Sequence, residues 1–189
     1  MKLFLILIVS VFNLSCQGGL KEIVEPSYLA PAEINYRTYF ARNISTLDPI
    51  EGVWTEFVVG TLYEDGKVLE RKEIPRRARW IIIKDGLNYK ILNQYGEQNK
   101  YIASFKKNIK DNFFTFDCLF INTKDHIKTN AELVDGVRIE MAYNAPDGIF
   151  KESYKEFTLS DLSNNEKKNL ELFWQFNWLK TYPLNLPDD

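Results

Sequence analysis

The chain has little of what metal and redox chemistry depend on. Its 189 residues hold two cysteines, one histidine and two methionines. With one cysteine near the N-terminus and the other at Cys118, a disulfide framework is excluded by count. No Cys-x-x-Cys pair or Cys/His cluster occurs, and His126, in NTKDHIKTN, reads as a solvated turn residue. Zinc sites of ordinary spacing and histidine-dependent triads have no residues to build on. Charge of one sign is also missing: the net charge is −2, and the local basic run RKEIPRRAR is broken by Glu73 and Pro75. Such a run reads as a charged hairpin loop rather than a nucleic-acid surface. No nucleophile elbow or phosphate loop is present, so no catalytic constellation, no cofactor and no metal site is expected. Finally, no apolar run is long enough to span a bilayer as a helix, which takes about 20 residues.

What is there begins with a leader. Lys2 precedes an apolar run from Leu3 to Leu14, the pattern of a secretory h-region. The small-residue site that follows, NLSC, resembles a bacterial lipobox, in which Cys16 becomes the lipidated first residue. The departures are Leu14, one place late, and Asn13. The expected division is a signal peptide over 1–15, a spacer after lipidated Cys16 over 16–31, a short amphipathic helix over 32–47 and a β domain over 48–185. Either lipid attachment or ordinary cleavage takes the protein out of the cytoplasm. A cell-envelope location, anchored to the outer membrane, is expected, with secretion as the alternative.

The helix is read from Tyr36, Tyr39, Phe40, Ile44 and Leu47 at helical spacing, with Pro31 near the start and Asp48-Pro49 as the stop. From Ile50 onward the period becomes two. Asp-Gly occurs at 65–66, 85–86, 135–136 and 147–148, and the first three lie between β-rich segments as hairpin turns. The implied strands are Gly52–Tyr63, Val68–Ile74, Arg79–Lys84, Asn88–Asn93, Tyr101–Lys106, Phe113–Asn122, Lys128–Val134, Val137–Asn144, a weaker Tyr154–Leu159 and Leu170–Tyr182. Nearly all are joined by short connections without an intervening helix, which disfavours parallel βαβ architecture. The fold class expected is therefore all-β, an antiparallel up-and-down barrel of 8–10 strands with a short N-terminal helix; a sandwich is the alternative.

Gly52-Val53-Trp54, after a short helix and before a meander of hairpins, resembles the motif that starts the first strand of the lipocalin (calycin) superfamily. The wider LDPIEGVW, behind a lipoprotein-like leader, is similar to lipocalin-like lipoproteins of Bacteroidetes-type bacteria. The resemblance implies a calycin barrel whose floor is closed by Trp54, with Gly52 beside it and Lys180 as the basic cover. It also implies binding of a small hydrophobic ligand.

Two readings of the aromatic residues stay open. Trp54, Trp80, Phe116, Trp174 and Trp178 suit core and floor packing, whereas Phe57, Ile82, Phe116 and Met141 are the candidate lining of a ligand cavity. Carboxylates such as Glu56 and Glu140 read as solvated faces. Cys118, in FFTFDCLFI, reads as a buried thiol acting as a small hydrophobe. The partners expected are a small hydrophobic molecule and, through the N-terminal lipid, a membrane. The alternative is a solid barrel that engages a protein partner, with Arg76 and Arg77 among its contacts.

Overall fold

The computed structural model describes residues 29–153, 157 and 169–184. The leader, Cys16 and most of the Tyr154–Leu159 segment lie outside them. Helix α1 (Pro31–Arg42) precedes β1 (Gly52–Glu64), β2 (Lys67–Asp85), β3 (Asn88–Asn93), β4 (Tyr101–Lys107), β5 (Phe113–Phe120), β6 (His126–Val134) and β7 (Arg138–Asn144). A short helix α2 (Asp147–Ser153) and β8 (Leu170–Tyr182) follow. Each strand pairs with the next, and β1 pairs with β8, so the described strands form a closed antiparallel up-and-down barrel of eight. Closure leaves the ladder without a free edge over most of its height.

The turn chemistry explains the meander. At Asp65-Gly66 and Asp135-Gly136 both residues take positive φ (51° and 75°, 51° and 70°), as a two-residue hairpin turn requires. Asp147-Gly148 instead opens α2. There Gly148 lies against the Asp125 carboxylate, where a Cβ would collide.

The described residues hold eight of the 8–10 strands expected: Val68–Ile74 and Arg79–Lys84 are one strand, β2, and Tyr154–Leu159 lies mostly outside the described residues. Pro75 does not break it. The register runs from Val58 opposite Ile74 to Glu56 opposite Ala78, so Pro75, Arg76 and Arg77 form a bulge facing Phe57 alone, with Arg76 at φ 50°. β3 pairs with β2 only from Trp80 onward. Pro75 therefore stands on an unpaired edge, where its missing N–H removes no ladder bond.

Helix α1 is shorter than the expected 32–47 and ends at Arg42, before a 3-10 turn at Ile44–Thr46. Its packed face is also narrower. Phe40 is fully buried with Val53, Ile81 and Leu92 on the outside of the barrel wall, with Tyr36 and Leu47 against them, while Tyr39 and Ile44 are exposed. Buried Glu33 fastens the helix to β2, accepting from Arg37 Nε at 3.0 Å and from Arg79 Nη1 at 3.2 Å.

Candidate ligand-binding cavity

One end of the barrel is closed by the stretch around Trp54. Trp54 is fully buried and its indole Nε1 donates to the Ile50 carbonyl at 3.0 Å. Glu51, also buried, accepts from the Asp48 and Lys84 backbone N–H groups at 2.9 and 3.0 Å. Asp48 accepts from Lys84 Nζ at 2.8 Å and Tyr89 Oη at 3.0 Å, and the lysine holds its carboxyl below the ordinary range. Lys180 Nζ stands 5.5 Å from the Trp54 ring centroid and donates to the Pro49 carbonyl at 2.7 Å. Burial pushes that ammonium down to about 8. Gly52, at φ 145°, admits this approach: a Cβ there would meet the Tyr182 carbonyl oxygen and, at 2.9 Å, Lys180 Cε.

Above this floor the interior is not solid. A cavity of about 400 Å³ occupies the other half of the barrel, within the usual range for small-molecule sites. Its rim is formed by Lys100 before β4, Asn122 and Thr123 after β5, and Glu152 and Ser153 of α2, all at the end opposite Trp54. Its walls are aromatic. Trp80 and Trp178 stack at 5.5 Å between centroids and 19° between planes, and Tyr101 meets Trp80 edge-on at 5.6 Å. Tyr143 stacks on Phe176 at 5.2 Å along β7 and β8, where burial drives its phenol well above the ordinary range. Gly60 makes room for Trp174, whose Cζ3 would be 2.5 Å from a Cβ. Arg77 lies over that indole, its guanidinium carbon 5.0 Å from the ring centroid.

The four candidate lining residues do not meet at one place. Phe116 and Met141 line the cavity. Ile82 is buried in the interior cluster, opposite Gly52 near the floor, and does not line it. Phe57 is on the other face of β1, since Trp54, Val58 and Leu62 are the residues of that strand in the interior cluster. Parity along the strand places it there.

Glu56 shows the same parity from the opposite side. It is 4 % exposed and lies in the cavity wall, not on a solvated face. Trp80 Nε1 donates to its Oε2 at 2.8 Å, and Arg77 Nε lies 3.7 Å from its Oε1. Burial raises its carboxyl above the ordinary range, against the Arg77 charge and the two indole N–H groups around it. Trp178 is its cross-strand neighbour. Although the Trp178 indole is close enough to favour the charged carboxyl, its buried Nε1 makes no hydrogen bond. A glutamate at an even position in the middle of an otherwise apolar-looking strand was the signal available in the sequence. Glu140 does lie outside the interior, paired with Arg138 at 2.7 Å. Cys118 is buried, lines the cavity, and has its thiol pushed up to about 12.

Together the fold and cavity define an eight-stranded up-and-down barrel with a floor at one end and a cavity toward the other, an architecture compatible with a lipocalin-like fold. Comparison with protein-family models, characterised proteins and solved structures finds no match to this chain. Among the described residues, no helix is long and apolar enough to cross a membrane.

Proposed function

We propose that this chain is a lipid-anchored protein of the cell envelope whose barrel binds a small hydrophobic molecule. The observation that carries the binding reading is the cavity of about 400 Å³, walled largely by aromatic side chains. Apolar walls with a few convergent polar groups are the usual composition of a small-molecule site. The leader and Cys16 support export and acylation. The same cavity favours the binding reading over the alternative of a solid interaction module.

Titration of the full chain with N-phenyl-1-naphthylamine, a neutral apolar fluorophore, tests the binding reading. Saturable binding at one molecule per chain is expected, weakened at least tenfold by Ala103→Phe, which places a ring into the cavity from β4. Linear, unsaturable fluorescence with this and other apolar probes would count against it. Mass measurement of protein extracted from its host membrane tests acylation of Cys16 separately.

A further inference from the structure

We infer that the cavity selects a flat heteroaromatic molecule whose edge carries an N–H donor beside a carbonyl acceptor, read by Glu56 and Trp178. This rests on the cavity-binding reading and narrows its ligand class. Trp178 is 2 % exposed, lines the cavity, and has its Nε1–H without a partner. A buried donor left in that state is costly unless something that enters the site accepts from it. Its cross-strand neighbour Glu56 has the complementary vacancy. Oε2 is taken by Trp80, whereas Oε1 accepts no hydrogen bond among the described residues: Arg77 Nε lies 3.7 Å away, beyond hydrogen-bond length, and the Trp178 indole, though close to the carboxyl, makes none. One rung of the barrel thus offers a donor and an acceptor side by side.

The ligand classes separate on this pair. A fatty-acid carboxylate accepts from Trp178 but brings a second carboxyl against Glu56. A simple amine satisfies Glu56 and leaves the indole unpartnered. An amide-like ring edge satisfies both together: its N–H donates to Oε1 and its carbonyl accepts from Nε1. The surrounding surfaces suit such a ring, because the Trp80–Trp178 stack presents flat π-faces, with Phe116 edge-on to Trp178 at 6.4 Å and 82°. Arg77, across the Trp174 ring, offsets the Glu56 charge at the same level of the barrel.

The test uses lumichrome, a fluorescent tricycle whose two ring N–H groups each adjoin a carbonyl, alongside its analogue methylated at both of those nitrogens and N-phenyl-1-naphthylamine. Each is titrated into the full chain, into Trp178→Phe and into Glu56→Gln. In the glutamine variant the side-chain oxygen stays with Trp80, and an N–H replaces Oε1 toward the ligand. Lumichrome is expected to bind at least tenfold tighter than the methylated analogue. In both variants the ratio of lumichrome to naphthylamine affinity is expected to fall about tenfold. Equal affinities for lumichrome and its analogue, or a uniform loss of both probes in the variants, overturn the edge reading. Naphthylamine binding without lumichrome binding also overturns it and leaves the cavity reading standing. Failure of every probe overturns both.

Discussion

Glu56→Gln makes the sharpest stability prediction, because the carboxyl is buried in an aromatic wall and its raised proton affinity has a defined sign. In the folded chain the group keeps its proton to a higher pH than in the unfolded chain, where it titrates near the ordinary 4.5. A raised folded value contributes stability that is complete below 4.5 and lost as pH rises through the folded value. Over that window the unfolded state ionises first, and wild type loses up to about 1.4 kcal/mol for each pH unit. Glutamine has no proton to lose and retains an oxygen for the Trp80 N–H at 2.8 Å. The Arg77 contact is 3.7 Å long with a third of the arginine side chain exposed, so its loss costs little, about 0–1 kcal/mol. Urea unfolding of both proteins from pH 4 to pH 8 isolates the effect, since all other titrations cancel in the difference. The glutamine variant should gain on wild type as pH rises from 4.5, with the difference flat below that. A difference that runs the other way, with wild type gaining toward neutral pH, refutes the burial argument.

Three further outcomes follow from the packing. Trp54→Ala should cost about 3–5 kcal/mol in chemical denaturation, as removal of a fully buried indole from the floor does; a loss below 1 kcal/mol would mean the floor repacks around it. Gly60→Ala should cost about 1–3 kcal/mol and weaken naphthylamine binding, because the methyl displaces the Trp174 ring from 2.5 Å. Wild-type affinity in that variant would show that the Trp174 wall does not shape the cavity. In a Cys16→Ser background, Cys118 should alkylate at pH 8 about a thousandfold more slowly than in the unfolded chain, its thiol being pushed up to about 12. Bound naphthylamine should slow it further, and a rate near that of the unfolded chain contradicts its burial in the cavity wall.

Much of this architecture was legible in local chemistry. Asp65-Gly66 and Asp135-Gly136 mark their hairpins because few other dipeptides tolerate two consecutive positive φ angles. The even positions of β8, Leu172 to Trp178, alternate strictly and lie in the interior cluster. Legibility failed where pairing partners decide the outcome. Pro75 looks like a strand boundary unless it is known that β3 leaves that stretch of β2 unpaired. α1 has an exposed Tyr39 and a buried Glu33, and Ile44 after it is exposed too; the burial of Glu33 is set by Arg79 across 46 residues of chain rather than by the helix itself. Glu56 and Phe57 exchange their expected faces through parity alone: counting from Trp54 in steps of two puts the charge inside and the ring outside. A charge on an inner face is a poor bet until Trp80 and Arg77 of β2 and Trp178 of β8 are seen to converge on it, and Trp178 lies more than a hundred residues along the chain from Glu56.

The most direct test of the central reading is native mass spectrometry of the full chain after exposure to a panel of small apolar compounds, with the Ala103→Phe chain in parallel. A one-to-one adduct on wild type that is lost when the cavity is filled supports ligand binding inside the barrel. Absence of any adduct across the panel, or an adduct retained equally by the filled variant, contradicts it.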